Sequence, residues 1–354
     1  MKWIFIAFLA MSVWSLQAQN NKELAWNKAK EAIELMDAGQ IEESVALLEE
    51  CKKLDPTEHT YPYEIAYAHV IQKEYKSAVK ILQKVKKYEG INSQVYQMLG
   101  NCYSYLGNPK KAIKEYEAGM KKFPNAGNLH LEKGNIFLMQ EDYNKAVMNY
   151  KNGIAAEPMY PSNYYRLALL YLSSDNKLNG LIYGELFLNI ERTTARTQEI
   201  SELLYQTYES SISFGEKEGS VTLDFCEITL FADDLKKGNF DLPLCAPFGK
   251  NFVLATIGQS EVSLQSVSQM RSKFIEFFFE GDEKEYPNVL FDYHQKMIEA
   301  GVFEAYNHYV LQIGAPNEFE QWLKNNEEQY DAFVEWYTQK ENVLEITDKN
   351  QFLD

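Results

Sequence analysis

Small residues recur every 34 positions along the first half of the chain, in two separate columns. The first column is Ala32, Ala66, Gly100, Gly134 and Ala168, and the second is Ser44, Ala78, Ala112, Ala146 and Gly180. Two helices cross closely only where the side chains at the contact are small, so the paired columns predict a repeated helical hairpin. Bulkier residues form a third column beside this contact, at Leu48, Leu82, Tyr116 and Tyr150.

The pattern predicts five hairpins, at about 25–58, 59–92, 93–126, 127–160 and 161–194. One such hairpin buries little apolar surface alone, so the core forms by stacking neighbouring hairpins. Gly180 and Gly184 are expected to loosen the fifth hairpin. Apolar residues then continue at helical spacing from Ile200 to Ile212, which predicts a capping helix at the end of the repeat region.

The third hairpin resembles a tetratricopeptide repeat (TPR). The residues that carry the resemblance are Tyr96, Leu99, Gly100, Tyr103, Ala112, Tyr116 and Pro124. The resemblance implies an all-α fold: a TPR α-solenoid of about five repeats plus a capping helix over 19–213, followed by a helical C-terminal region. It also implies a non-catalytic protein that binds a protein or peptide, with the first helix of each repeat lining a concave groove.

Nine residues occupy the positions that line this groove in TPR proteins, and they are the candidates for partner binding. They are Tyr63, Tyr67, Gln97, Asn101, Tyr105, Leu131, Asn135, Met139 and Tyr165. The set supplies amides and aromatic rings but no cation, unlike the family's clamp for a C-terminal carboxylate. Amides can pair with the backbone of an extended segment, and Tyr and Met give adaptable apolar contacts. The alternative is that the C-terminal region packs against these residues and fills the groove.

The second half of the chain departs from the repeat. Residues 214–250 contain glycine and proline breaks, and Val221, Leu223 and Phe225 alternate with polar residues, so we expect an irregular linker or a short strand segment. Residues 251–354 return to helical spacing and predict a helical C-terminal domain. Its expected helices are Leu264–Phe279, Val289–Glu299, Phe303–Ile313 and one last long helix.

Aromatic residues form a stripe along that last helix, from Phe319 to Tyr337. Such a stripe at helical spacing is usually buried, so we interpret it as core rather than as a docking surface. The run from Tyr286 to Trp322 resembles the C-terminal part of some exported TPR proteins of Gram-negative bacteria.

The first eighteen residues predict a signal peptide. Lys2 gives the positive start, Trp3 to Trp14 is uncharged and largely apolar, and Leu16-Gln17-Ala18 offers a cleavage site before Gln19. The apolar run is shorter than the roughly 20 residues of a transmembrane helix, and a retained membrane anchor is the alternative. We expect a periplasmic or secreted protein with no membrane insertion after signal removal.

The chain is acidic, with a formal net charge of −16 at pH 7. A surface of this charge repels phosphate backbones and anionic lipids, so nucleic acid is not expected as a partner.

Four cysteines are too few for a disulfide scaffold in a chain of 354 residues. Cys226 and Cys245 flank the linker, and a bridge between them is one possibility in an oxidising compartment. Cys51 and Cys102 fall inside the repeats and are interpreted as small buried residues.

The sequence contains no catalytic motif that we recognise, and it predicts no catalytic residue, metal ligand or cofactor. His69 and His130 fall in core-facing or rim positions of the repeats. An acid–base pair formed by His294 with Asp292 or His308 is the alternative, although no nucleophile or phosphate-binding loop supports it.

The leading hypothesis is therefore a non-catalytic exported TPR protein that binds a protein or peptide through the groove of its repeats. The alternative is a structural scaffold in cell-envelope assembly or polysaccharide handling, with the C-terminal helices as the interaction surface.

Overall fold

In the computed structural model, residues 2–217, 219–228 and 242–353 are described, with side chains described from residue 19 onward. These residues form seventeen α-helices, one short 3₁₀-helix and one two-stranded hairpin, so the predicted all-α class is confirmed. The side chains of the predicted signal peptide and residues 229–241 of the predicted linker lie outside the described residues.

The repeat region consists of paired helices at the predicted period, followed by a helix where the capping helix was expected. The helices are α1 (Lys2–Asp37), α2 (Ile41–Leu54), α3 (Thr60–Ile71), α4 (Tyr75–Val85), α5 (Ser93–Tyr105), α6 (Pro109–Lys122), α7 (Gly127–Met139), α8 (Tyr143–Ala156), α9 (Pro161–Leu172), α10 (Lys177–Ile190) and α11 (Ala195–Ser211). The backbone of residues 2–18 belongs to α1. Within the described part of the chain, no helix combines the length and apolar character needed to cross a membrane.

The chain divides into two compact units, one ending at Ala146 and one beginning at Val147. The division falls inside α8, so the first unit holds α1–α7, and the second holds α9–α11 together with the C-terminal helices. The domain boundaries expected from the sequence at 18, 213 and 250 stay predictions.

In the first unit, the hairpins close at the predicted small residues. The Ser44 hydroxyl donates to the carbonyl oxygen of Ala32 at 2.6 Å, which ties α2 to α1. In the third hairpin Ala112 is fully buried, and a methyl group on Gly100 would overlap the ring of Tyr116. In these two hairpins, residues of the small columns therefore lie where the two helices approach closely.

The first helices of successive hairpins contact one another in the order α1, α3, α5 and α7. They form an inner layer of the first unit, and α2, α4 and α6 pack against them as the second layer. The turns between the two layers use left-handed backbone, with φ of 80° at Gly39 and 73° at Gly107, which glycine adopts without strain.

In the second unit, α10 lies at the centre of the packing, because every residue from Leu178 to Asn189 is buried. The expectation that Gly180 and Gly184 loosen this hairpin is wrong. A methyl group on Gly180 would lie 2.6 Å from the backbone nitrogen of Leu172, and one on Gly184 would lie 3.0 Å from a methyl carbon of Leu204. Both glycines instead allow α9 and α11 to approach α10 closely.

Six helices follow in the second unit. They are α12 (Cys245–Ala255), α13 (Leu264–Phe279), α14 (Val289–Glu299), α15 (Phe303–Leu311), α16 (Pro316–Asn325) and α17 (Glu327–Thr338), before a 3₁₀ turn at Lys340–Asn342. The predicted bounds of α13 and α14 are confirmed, and α15 ends two residues early. The prediction of a single last helix is wrong, because the chain breaks at Asn326, whose side-chain amide donates to the carbonyl oxygen of Trp322 at 2.8 Å.

The aromatic stripe on these last helices is core, as interpreted from its spacing. Trp322, Phe333 and Tyr337 are all buried. The ring centroids of Phe333 and Tyr337 lie 5.0 Å apart. The ring centroid of Tyr306 on α15 lies 6.1 Å from each of them.

Between α11 and α12, strand β1 (Ile212–Phe214) pairs antiparallel with β2 (Val221–Leu223), with Ser213 opposite Thr222. A disulfide joins Cys226 to Cys245 at the start of α12, so the possible bridge is present. Cys51 and Cys102 are buried free thiols, as predicted.

Candidate protein-binding surface

The first unit exposes large apolar side chains at two repeating positions of its inner helices. Ile71, Tyr105 and Met139 lie 34 residues apart and are 43%, 60% and 77% exposed. Ile33 and Tyr67 also lie 34 residues apart and are 40% and 44% exposed. We call these five residues the exposed apolar row. Because Tyr67 and Ile71 are four residues apart on α3, the two positions share one face of the inner layer.

Aromatic packing orients Tyr105, the central residue of this row. Its ring centroid lies 4.9 Å from that of Tyr75 on α4. Burial, followed by the charge of Glu132, raises the pKa of the Tyr105 phenol above its usual value. At neutral pH Tyr105 therefore presents an apolar ring with a protonated hydroxyl that can donate a hydrogen bond.

A chain of hydrogen bonds joins α5 to α7 across this face. The Ser93 hydroxyl donates to Asn128 at 3.1 Å, and the Asn128 amide donates to Oε1 of Gln97 at 2.8 Å. The Gln97 amide in turn donates to Oε1 of Glu132 at 2.8 Å, and the other carboxylate oxygen accepts from Asn135 at 3.2 Å. Both the oxygen and the nitrogen of the Gln97 amide are thus hydrogen-bonded to residues of the next repeat.

Asn101 and Asn135 occupy the same repeat position, but the structure gives them different partners. Asn101 Oδ1 accepts a hydrogen bond from the Tyr116 hydroxyl at 2.5 Å. This contact fixes the amide, and its Nδ2 group has no hydrogen-bond partner within the described ranges. Asn135 instead joins the chain that ends on Glu132. Of these two amides, Asn101 is therefore the better placed to donate to a bound backbone.

The other predicted groove residues differ in how accessible they are. Leu131 is 8% exposed and belongs to the core, and Tyr63 is half-buried against the cluster that includes Ile91 and Val95. Tyr165 lies in the second unit, where its hydroxyl donates to Glu199 at 2.6 Å. Among the predicted groove residues, Tyr67, Tyr105 and Met139 are the most exposed, and Ile33 and Ile71, which lie outside the predicted set, are exposed beside them.

Sequence reasoning missed Ile33 and Ile71 because an isoleucine at a repeating helical position is usually core. The signal that distinguishes Ile71 is the 34-residue period, which places it in register with Tyr105 and Met139.

The second unit contains a buried polar cluster formed by Glu185 on α10, Arg271 on α13 and His294 on α14. Glu185 Oε1 accepts hydrogen bonds from Arg271 Nη2 at 2.5 Å and from His294 Nε2 at 2.6 Å. All three side chains are at most 4% exposed. The arrangement links α10 to α13 and α14, which lie 86 and 109 residues further along the chain at these contacts.

Electrostatics fix the charge states of this cluster. Burial alone would raise the pKa of Glu185, but the neighbouring Arg271 and then His294 hold it at about 2. Burial lowers the pKa of His294, so its imidazole is neutral at pH 7 and carries its proton on Nε2. The adjoining cavity has a volume of about 20 Å³, which is room for roughly one water molecule.

The acid–base alternative paired His294 with Asp292 or His308, and the structure places these groups in different environments. His294 has neither residue as a hydrogen-bond partner in the described part of the chain. His308 stacks on Trp322 with centroids 4.0 Å apart, and its Nδ1 bonds the carbonyl oxygen of Glu304 at 2.8 Å. Among the described residues, no cluster of three or more His, Cys, Asp or Glu side chains has the arrangement of a metal site.

Residues 93–121, which span α5 and most of α6, match the family model described as Tetratricopeptide repeat. The chain contains a tetratricopeptide repeat. This agrees with the paired helices and small-residue crossings of the first unit, and TPR folds in general bind proteins or peptides.

Two curated proteins show partial similarity to this TPR chain. BBSome complex member BBS4 of Bos taurus is 28% identical over 142 residues, which cover 38% of this chain and 26% of that protein. Cilia- and flagella-associated protein 70 of Homo sapiens is 27% identical over 101 residues, which cover 28% of this chain and 9% of that protein. The chain therefore spans about a quarter or less of the length of these relatives.

Solved TPR structures show distant similarity as well. Pseudomonas aeruginosa pilF is 16% identical with a TM-score of 0.44, and the match covers 54% of this chain and 86% of that one. The thermophilic TPR protein TTC0263 of Thermus thermophilus is 19% identical with a TM-score of 0.43, and the match covers 51% of this chain and 98% of that one.

Proposed function

We propose that the first unit binds an extended segment of another protein on the inner layer of its repeats, with the exposed apolar row as the main contact. The observation that carries the proposal is the recurrence of exposed large apolar residues at two repeat positions, with Tyr105 and Met139 the most exposed of them at 60% and 77%. Apolar side chains left in water at a repeated position mark an interaction surface, because single exposed hydrophobic residues would not share a period.

Polar groups beside the row suit a segment whose backbone is extended. The Asn101 amide and the Tyr105 hydroxyl can donate to backbone carbonyl oxygens, and Met139 adapts to side chains of different shape. No covalent step is required of any of these groups.

Quantitative recovery of partner proteins tests this proposal. Partners are captured from cells on wild type, on Tyr105→Ala/Met139→Ala and on the control Tyr143→Ala, and then compared by mass spectrometry. Tyr143 matches Tyr105 in residue type and is 55% exposed, but lies on α8 outside the row. We expect a partner that the control retains and the double variant loses at least about tenfold, since one or two large interface residues carry much of the binding energy. Equal recovery by the double variant would remove the row from the binding surface.

We also propose that the protein is exported and that processing removes residues 1–18. The charged start, the apolar run and the small residue at Ala18 support this, and so does the Cys226–Cys245 disulfide, since disulfides persist in oxidising compartments. N-terminal sequencing of the protein purified from its native cells is expected to begin near Gln19. A purified chain that still carries Lys2 would refute the processing step.

The scaffold alternative, in which the C-terminal helices are the interaction surface, receives less support. Their aromatic residues are largely core, as Trp322, Phe333 and Tyr337 show.

A further inference from the structure

A cavity of about 110 Å³ opens between the beginnings of α3 and α5 in the first unit. Its lining includes Thr60, Tyr63 and Glu64 of α3, and Asn92 and Gln94 at the start of α5. It is several times larger than the roughly 10–15 Å³ that a single water molecule needs. Because Tyr63 is one of the groove positions, the cavity borders the surface proposed to bind a partner.

Glu64 is the charged group of this cavity that lacks a partner. Its side chain is half-buried, and within the described residues it forms no hydrogen bond or ion pair. Burial and then the charge of Asp37 raise its pKa. By contrast, the half-buried Glu115 is paired with Lys86 at 2.5 Å. The free protein thus holds the Glu64 carboxylate in an environment that disfavours its charge.

The two helices that line the cavity supply no permanent cation. The sequences of α3 and α5 contain neither lysine nor arginine. Asp37, at the end of α1, adds a second negative charge, and His59, at the edge of the cavity, lies 3.2 Å from Glu58 rather than pairing with Glu64. A positive group that enters the cavity would therefore meet the negative charges of Glu64 and Asp37, with no lysine or arginine on either lining helix.

We propose that this cavity receives the ammonium or guanidinium group of a lysine or arginine in the bound segment, whose apolar side chains lie on the exposed apolar row. The proposal rests on the proposed function and specifies the chemistry of the partner. Glu64 pairs with the cation, Gln94 and Thr60 offer oxygen acceptors, and the ring of Tyr63 can contact the aliphatic stem or the charge. A basic and apolar segment also complements a chain with a net charge of −16.

A phage-displayed library of random dodecapeptides, selected on the purified full chain, provides the probe. We expect selected peptides to combine apolar residues with a lysine or arginine at one position. A synthetic peptide of the selected consensus is then measured against wild type, Glu64→Gln and the control Glu43→Gln, together with a version whose basic residue is norleucine. Glu64→Gln keeps the side-chain shape and removes an unfavourable charge, so it is expected to fold. Glu43 is exposed on α2, outside the cavity.

The expected result is a coupled loss. Affinity falls about tenfold on Glu64→Gln and about tenfold on replacing the basic residue, with little further loss when both are changed, because each change removes the same charge-assisted contact. Glu43→Gln changes net charge equally and is expected to lower affinity less than twofold.

Two results would overturn the inference in distinguishable ways. Selected peptides that lack a basic residue, or that bind Glu64→Gln as well as wild type, refute the cation pocket. If those peptides still lose affinity on Tyr105→Ala, the docking function stands without it. A selection that enriches no peptide at all would count against both proposals.

Discussion

Replacement of Arg271 by methionine tests the buried cluster of the second unit. Methionine fills much of the same volume but leaves the Glu185 carboxylate, whose side chain is 4% exposed, with His294 as its remaining partner in the cluster. Removing one member of a buried ion pair costs roughly 3–5 kcal/mol, because the other charge is left buried without compensation. Since a typical domain is stable by about 5–15 kcal/mol, this loss is a large share of the total.

The lowered pKa of the Glu185 carboxyl reflects the same interaction. Its pKa of about 2, against an ordinary value of 4.5, corresponds to stabilisation of about 3 kcal/mol at neutral pH. A carboxyl whose folded pKa is depressed contributes fully above its unfolded pKa. This contribution is lost as the pH falls from about 4.5 towards 2. In Arg271→Met most of it should be absent at pH 7.

Hydrogen exchange followed by mass spectrometry locates the effect. Amides of α10 and α13 are expected to exchange much faster in Arg271→Met, and amides of α3 and α5 serve as the internal reference. The double variant Glu185→Gln/Arg271→Met should recover most of the protection, because glutamine still accepts a hydrogen bond from His294 and no net charge stays buried. The reasoning would be refuted if Arg271→Met lowered the free energy of unfolding by less than about 1 kcal/mol. It would also be refuted if the double variant were no better protected from exchange than the single variant.

Three further predictions concern the same unit. Gly180→Ala should destabilise it by about 1–3 kcal/mol in thermal unfolding, since the added carbon would meet backbone, whereas Gly249→Ala in open space on α12 should be neutral or stabilising by up to about 1 kcal/mol. Reduction of the Cys226–Cys245 disulfide should cost about 3 kcal/mol in denaturant unfolding, given the separation of 19 residues, and a midpoint that does not move would contradict this. Burial lowers the pKa of His294, so the unfolded chain takes up a proton at this residue at a higher pH than the folded chain does. The free energy of unfolding should therefore fall as the pH drops below about 6.5, and a His294→Gln variant should lose this part of the pH dependence.

The repeat region was predictable because its contacts are local. The two helices of the first hairpin meet at residues 12 apart, Ala32 and Ser44, and small residues recur at both positions in every repeat. A pattern repeated five times leaves a clear signal in the sequence. The bounds of α13 and α14 were predictable for a related reason, since Ser263 and Asn288 cap these helices through their side chains and begin them at defined positions.

The buried cluster was not predictable, because its members are far apart in the chain. Glu185 and Arg271 are separated by 86 residues, and Glu185 and His294 by 109. A signal was nevertheless present. Glu185 is the one charged residue between Leu178 and Ile190, and a lone charge inside an apolar helix requires a buried partner. The break at Asn326 was hidden in a different way, because the apolar stripe continues across it.

Equal repeat position did not guarantee an equal role for the candidate binding residues. Asn101 and Asn135 share a position, but a tyrosine hydroxyl of its own hairpin holds Asn101, whereas Glu132 draws Asn135 into the chain of hydrogen bonds. Gln97 was a candidate for pairing with a partner, and the structure uses both ends of its amide between repeats. Neighbouring side chains, which differ from repeat to repeat, decide which amides remain available.

Periodicity alone does not separate a binding surface from a core, because both need apolar residues at regular positions. Leu131 and Met139 lie on the same helix, and both are candidates from the sequence, yet they are 8% and 77% exposed. The core positions are filled by helices of the same unit, whereas the position shared by Ile71, Tyr105 and Met139 faces water in three successive repeats. Large apolar side chains at such a position are not buried in the unbound protein, so they do not contribute the free energy of burial to its stability. That free energy is recovered when a partner covers them, which is why the exposed apolar row is the surface on which a binding experiment should concentrate.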